Sequence, residues 1–352
     1  MSEHWLQRLG VIVPVVQAPM AGSVGAAMVV AVTGAGGLGS LPCALLSADA
    51  VRAEVATIRQ TTDGPFNLNF FCHERVPDDG GMAAAVWLRH LQRYFDELGL
   101  DSTAPLPDVD RAPFDEGTCE LIEELRPAVV SFHFGLPGPD LLDRVRATGA
   151  TVLSSATTVD EARWLEAHGA DVVIAQGVEA GGHRGMFLTT DIATQLGTFA
   201  LVPQIVDAVA VPVVAAGGIA DVRGVAAAAA LGASAVQPGT AFLRCPEATT
   251  SPVHRAALAV PSAVDTALTN VLTGRPARSI VTRLMTEVGP ISPIAPSFPL
   301  AAAAVAPLRR AAEATGSGHF SPLWAGQSAA LATDAPAAEV VWALGAGFPP
   351  AE

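Results

Sequence analysis

A (β/α)8 barrel is the fold class this sequence predicts, and three observations lead to it. Short β-branched runs alternate with Ala/Leu-rich helical stretches from about residue 10 to residue 238, the pattern of a parallel sheet covered by helices. The alternation supplies eight strand–helix units, whereas a doubly wound open sheet, the competing architecture, normally ends after about five or six strands. Nearly every predicted strand also ends in an amide, hydroxyl, imidazole or glycine, which a purely structural barrel would not need.

The first strand is read at residues 10–17, with a helix over 23–32. The second strand is 37–41, followed by a helix over 48–60, and the third is 66–71. A polar, Pro/Asp-rich segment, residues 72–117, then interrupts the rhythm. Regularity resumes with a helix at 118–125 and the fourth strand at 128–134. A helix at 140–148 leads to the fifth strand, 151–155, and a helix at 159–168 to the sixth, 171–176. The seventh and eighth strands are 211–216 and 235–238, with helices near 199–209 and 221–231. After Cys245 the pattern becomes helical segments broken by Pro-rich loops such as 290–299. The predicted barrel therefore comprises residues 1–71 and 118–245. The 72–117 insertion and the mainly helical 246–352 region are expected to form a lid over the substrate.

Composition narrows the function. Half of the 352 residues are hydrophobic and 15% are charged, so a large core can be buried. The formal charge of −14 argues against a nucleic-acid partner, whose electrostatic footprint is a basic stripe. Residues 9–48 carry no charge, but Pro14, Gln17, Pro19 and several glycines break the ~20-residue apolar run that a membrane span requires. The first residues, Met-Ser-Glu-His-Trp, lack the basic start of a secretory signal. Cys43, Cys72, Cys119 and Cys245 are scattered, with no C-x-x-C pair, so a reducing cytoplasm is the expected setting. All twenty basic residues are arginine. Without lysine there can be no Schiff-base or pyridoxal chemistry and no Walker-type nucleotide site. No H-x-H or H-E-x-x-H spacing occurs, and no metal is expected.

Chemistry in a barrel sits at the C-terminal strand ends. The first strand ends Gln17-Ala18-Pro19-Met20-Ala21-Gly22, the third delivers Asn69, the fourth Ser131 and His133, the fifth Ser154 and Ser155, and the sixth Gln176. Gly217-Gly218-Ile219 and Gln237-Pro238-Gly239-Thr240 close the seventh and eighth. Two glycine turns in successive loops, one of them opening a helix through Asp221, make a lysine-free phosphate cradle. Asp221 itself reads as that helix's N-cap. In the sixth loop, Gly181 and Gly182 let backbone approach a flat ligand, and His183 would stand over the barrel centre, where it can exchange protons. His133 admits two readings, a catalytic group at the mouth or a core histidine satisfied by a carbonyl. His4, His73, His90, His168, His254 and His319 have no comparable setting, and Arg309-Arg310 reads as a solvated helix face.

Taken together, Gln17-Ala-Pro-Met20, Asn69, Ser131-Phe-His-Phe-Gly135, Glu179-Ala-Gly-Gly-His-Arg-Gly185, Ala216-Gly-Gly-Ile219 and Gln237-Pro-Gly-Thr240 resemble the nitronate monooxygenases, formerly 2-nitropropane dioxygenases. The resemblance spans residues 11–245 and continues weakly through Thr273-Gly-Arg-Pro-Ala-Arg278 and Leu323-Trp-Ala-Gly-Gln327. It implies an FMN barrel that oxidises alkyl nitronates with dioxygen to a carbonyl compound and nitrite. It further implies that Asn69, Gln176, Gly181, Gly218, Gln237, Gly239 and Thr240 contact FMN, with Met20 and Gly22 lining its pocket. By the same resemblance His183 matches the family's catalytic histidine and His133 its second active-site histidine. The chain departs from the familiar pattern in having a single tyrosine, Tyr94, no lysine, and Phe298-Pro299 in place of Tyr-Pro. Two other functions compete. One is an FMN-dependent NAD(P)H enoyl-thioester or quinone reductase of the same barrel superfamily. The other is a barrel that binds flavin or another phosphorylated ligand without turnover. Either a monomer or a homodimer is compatible with the sequence.

Overall fold

The computed structural model describes residues 5–75, 81–107, 112–260 and 265–349. His4 and parts of the predicted insertion lie outside them. The strands are β1 (Gly39–Pro42), β2 (Phe66–Phe71), β3 (Val129–His133), β4 (Thr151–Ala156), β5 (Val172–Gln176), β6 (Gly182–His183), β7 (Val213–Ala216), β8 (Ala235–Val236), β9 (Thr266–Thr269) and β10 (Ala277–Ile280). Seven of them form a parallel sheet in the order β1-β2-β3-β4-β5-β7-β8. The predicted first strand is reduced to two residues. Val15 bridges Val236 and Val16 bridges Leu38, both parallel. Val16 N–H donates to the Val236 carbonyl (2.8 Å) and Leu38 N–H to the Val15 carbonyl (2.9 Å), so this segment joins the two sheet edges and closes the ring. Pro14 and Pro19 have no N–H to give a ladder, which keeps the strand short.

Helices cover the outside as the alternation predicts. Ser47, Asp115, Thr158 and Asp221 each accept a backbone N–H at the start of the helix they precede, which explains the sharp helix starts. The barrel's lower end is filled by Val16, Leu38, Val129, Val172 and Ala235, and Trp5 and Leu6 of the N-terminal turn pack into the same cluster. Higher up, the interior turns polar. Asn67 Nδ2 donates to Ser40 Oγ (3.0 Å) and Ser131 Oγ (2.8 Å), and Gln17 Oε1 accepts from Ser40 N–H (3.0 Å). These groups are fully buried and tied to one another, with Asn67 Oδ1 alone left without a partner, and they form a floor beneath the barrel mouth.

A second, separate core joins distant parts of the chain. Trp87, Leu91, Tyr94 and Phe95 of the helix Met82–Glu97 pack on Ala301, Ala304, Val305 and Leu308 of the helix Ala301–Ala314. At about 1.5–3 kcal/mol per fully buried large side chain, that face is ample to hold the helix in place. The C-terminal part also contains a small antiparallel sheet, β6-β10-β9, that helical periodicity does not signal. It matters because its β6 edge is the His183 loop.

Among the described residues no helix is long and apolar enough to cross a membrane.

Candidate active site

A cavity of about 310 Å³ opens at the C-terminal ends of the barrel strands. Every site residue selected from the sequence lines it: Met20, Gly22, Asn69, His133, Gln176, Gly181, Gly182, His183, Gly217, Gly218, Gln237, Gly239 and Thr240. The chain brings them together from six strand ends, because parallel strands all present the same end.

The loop after β5 is held in place at almost every residue. Gln176, at the end of that strand, donates from Nε2 to the His183 carbonyl (3.0 Å) and accepts Gly185 N–H at Oε1 (2.7 Å). Arg184 is completely buried. Its guanidinium donates to the Gly177 carbonyl (2.6 Å), the Gln176 carbonyl (2.5 Å) and Gln195 Oε1 (2.8 Å). Burial, reinforced by Arg278, pulls its pKa down to about 9, so it remains charged at neutral pH. Arg278 donates to the Val178 carbonyl (2.8 Å), and Glu179 accepts the N–H and hydroxyl of Thr198 at the next helix start. Gly181 is required for a reason other than ligand approach. A Cβ there would lie 2.6 Å from the Ala325 carbonyl carbon and the Gly326 nitrogen, so the C-terminal segment could not pass. Gly182, by contrast, has open space at that position and a φ of +74°.

This bracing leaves His183 presented at the mouth. Its Nε2 lies 2.9 Å from Thr273 Oγ1, and its ring is surrounded by Phe71, Phe134, Phe298 and Trp324, with centroids 5.2–6.4 Å away. The result is a largely aromatic enclosure around the His183 imidazole. His133 lies below, with Nε2 3.2 Å from the His183 carbonyl and Nδ1 3.1 Å from Ser155 Oγ. A carbonyl can only accept, so Nε2 carries the proton and Nδ1 takes the serine hydroxyl. Burial lowers its pKa to about 4, opposed by the His183 carbonyl and assisted by Arg275 and Arg184. His133 is therefore neutral at pH 7, with both nitrogens engaged by protein groups. Of the two sequence readings, the geometry matches the carbonyl-satisfied histidine, although its ring does reach the cavity wall.

The opposite side of the cavity is built differently. Gly217 and Gly218 have φ of +111° and +71°. The N–H groups of Gly218, Ile219, Gly239 and Thr240 enter no hydrogen bond among the described residues. Gln237 Oε1 is buried without a partner. Asp221 caps the helix Val222–Ala230 by accepting Arg223 N–H (3.0 Å) and Gly224 N–H (3.3 Å), so the unpaired donors belong to the glycine turn and not to the first helical turn. The C-terminal segment closes over this side. Gly326 N–H donates to Thr240 Oγ1 (2.9 Å) and Ser328 Oγ to the Gly218 carbonyl (2.5 Å). Unpaired N–H groups in two glycine turns, beside an orphaned amide oxygen, suit the phosphate and polar edge of a mononucleotide.

Several residues of the site escape sequence reasoning. Thr273 and Trp324 fall in the two weakly matching C-terminal strings, which was the only signal for them. His254 and Arg309, set aside as a contextless histidine and a solvated arginine, both line the cavity. His73 packs on Phe71, Phe134 and Phe298. Tyr94 lies in the second core and donates to Glu287 (2.9 Å), away from the mouth. No cluster of His, Cys, Asp or Glu among the described residues could hold a metal ion.

The chain matches the family model described as nitronate monooxygenase over residues 3–347. It is 43% identical over 346 residues to a nitronate monooxygenase of Pseudomonas aeruginosa, covering 98% of both chains. Among solved structures it is similar to a nitroalkane oxidase from Streptomyces ansochromogenes, with a TM-score of 0.87 and 38% identity over 97% of each chain. The similarity to FabK from Thermotoga maritima is more distant: TM-score 0.73 and 27% identity, over 99% of this chain and 96% of that one.

Proposed function

The chain belongs to the nitronate monooxygenase family, and from that premise we propose that it binds FMN and oxidises alkyl nitronates with dioxygen, giving a carbonyl compound and nitrite. The observation that carries the reading is the enclosure of His183. Its imidazole, with Nε2 2.9 Å from Thr273 Oγ1, lines the cavity beside the rings of Phe71 and Trp324.

Such an enclosure suits a small alkyl chain that ends in an anionic nitronate. Protonated, His183 holds the anion; neutral, it takes the α-proton of a nitroalkane and delivers the same anion in place. Thr273 orients the ring, while Gln176 and His133 fix the His183 backbone through its carbonyl. His133, neutral at pH 7, is a positioning residue in this scheme. The electron transfer from substrate to dioxygen is the chemistry FMN supplies when bound. The cofactor's phosphate is assigned to the N–H groups of Gly218, Ile219, Gly239 and Thr240, and its polar edge to Gln237. Met20, Gly22, Asn69, Gln176, Gly181, Gly182 and Gly217 complete its pocket.

The test is a side-by-side kinetic comparison of a nitronate, a neutral nitroalkane and NAD(P)H. Oxidation of ethylnitronate or propionate 3-nitronate with nitrite release is expected. Flavin reduction by NADH or NADPH with no nitronate oxidation would favour the reductase instead. His183→Asn is expected to retain flavin and lose about 10²–10³-fold on nitroalkane, with a smaller loss on pre-formed nitronate. Equal, near-complete activity on both would remove His183 from the chemistry. Thr273→Val should lower kcat on nitroalkane several-fold and leave flavin content unchanged, and an unaltered kcat would deny Thr273 its orienting role.

A further inference from the structure

The cavity wall also includes an arm of Ser251, His254, Arg309, Glu313 and Ser321 next to Trp324, none of which the reaction above uses. His254 is the unusual member. It is only 6% exposed, it lines the cavity, and its Nε2 is buried with no hydrogen-bond partner. The Trp324 carbonyl accepts a hydrogen bond from this ring. Since Nε2 is the nitrogen without a partner, Nδ1 carries the proton and Nε2 presents a bare lone pair. Burial pushes the ring's pKa down to about 4, so protonation does not relieve that lone pair at neutral pH.

The charges around it cancel locally. Glu313 Oε1 accepts Arg309 Nε (2.8 Å) and Ser321 Oγ (2.7 Å), so the arm carries one acid and one base that compensate each other's charge. An arm with a compensated ion pair and an unfilled acceptor is suited to a neutral donor, not to an anion. A buried acceptor left unpaired is costly, and a ligand hydroxyl removes the cost. Trp324 connects this arm to the chemistry, because its ring packs 5.2 Å from His183 while its carbonyl accepts a hydrogen bond from His254.

We propose that this arm is a specificity pocket whose His254 Nε2 accepts a hydrogen bond from a hydroxyl at the far end of the substrate, selecting hydroxyalkyl nitro compounds over simple nitroalkanes. The assignment rests on the proposed nitronate oxidation for the identity of the reacting group, but not for the hydroxyl site itself.

The experiment pairs 3-nitropropan-1-ol with 1-nitrobutane, which differ by a hydroxyl in place of a methyl group. Holoenzyme is assayed for kcat/KM on the two nitronates, and binding of the two neutral nitro compounds is measured anaerobically by calorimetry. A preference for the alcohol of about tenfold is expected in both measurements. His254→Met should reduce the ratio to about one, and His254→Gln, which keeps an acceptor, should retain part of it. Because each ratio is taken within one protein, general losses cancel. Equal handling of the pair by the wild type, an unchanged ratio in His254→Met, or no calorimetric binding of either compound overturns the proposal. So does a strong preference for propionate 3-nitronate that Arg309→Leu abolishes, since the arm would then be an anion site. A calorimetric preference without turnover of either nitronate would sustain the arm and defeat the proposed reaction.

Discussion

The two sides of the cavity are built on opposite principles. On the His183 side the polar groups bracing the loop are already engaged by protein: Gln176 with the backbone of residues 183 and 185, Arg184 with three acceptors, Glu179 with Thr198. On the glycine-turn side, donors of Gly218, Ile219, Gly239 and Thr240 and the oxygen of Gln237 have no partner among the described residues. Buried polar groups are normally satisfied. A set that is satisfied internally fixes geometry before any ligand arrives, whereas a set left open awaits one. The catalytic side is therefore preorganised, and the cofactor side is completed by binding. Substitutions on the first side should register in the stability of the protein itself, those on the second in its affinity for flavin.

The largest effect is expected at Arg184. Replacing it by Met removes the guanidinium donor from the Gln176 and Gly177 carbonyls and from Gln195 Oε1, the Gly177 carbonyl keeping only Ala180 N–H. Loss of one partner of a buried charged network costs about 3–5 kcal/mol, so denaturant unfolding should shift by that amount. Arg184→Lys should rescue little, because one ammonium cannot reproduce the planar fork. A shift under about 1 kcal/mol for Arg184→Met would break the contrast, since the loop would then not depend on its brace.

His133 gives a smaller effect with a defined sign. Its folded pKa, near 4, lies below the ordinary value of 6.5, so between those pH values the unfolded chain binds more protons. Stability is unaffected above about pH 6.5 and falls as the pH drops towards 4, by about 2–3 kcal/mol from this group. Glutamine at 133 can still donate to the His183 carbonyl and accept from Ser155, yet it does not titrate. His133→Gln should therefore lose less stability than wild type between pH 6.5 and 4, measured by thermal melts. Parallel pH profiles would show that the ring is not shielded as the geometry implies.

The same contrast explains what was legible in the sequence. The barrel could be read because eight parallel strand–helix units each leave a local periodic trace, and the site loops because parallel strands deliver their ends to one face. The glycine turns were legible because positive φ demands glycine at Gly217 and Gly218. A further constraint on Gly181 is not legible, because it comes from the Ala325–Gly326 backbone, more than 140 residues away in the chain. Thr273 meets His183 from the loop between β9 and β10, and Trp324 and His254 reach the cavity from the C-terminal segment and the helix Pro252–Leu258, contacts between distant residues that no local period encodes. The two-residue first strand was overextended for a related reason. Apolar runs do not reveal where ladder pairing stops, and here the prolines decide it.

Gln237 tests the open side with the smallest expected change, and the sign of that change is what separates the two regions. Its Oε1 is buried and unpartnered in the protein alone. Leucine of similar size removes that orphan, so the flavin-free protein should be unchanged or stabilised by up to about 1 kcal/mol. On the proposed assignment the same substitution deletes a hydrogen bond to flavin, so the FMN Kd should rise by about five- to tenfold. Gly218→Val would be a poorer probe, because its φ of +71° strains any side chain regardless of ligand. Thermal melts of apoprotein and fluorescence titration with FMN read the two quantities separately. Stability and affinity moving in opposite directions is the signature of a group held open for a ligand. A loss of apoprotein stability together with an unchanged Kd would place Gln237 with the braced side and erase the distinction between the two.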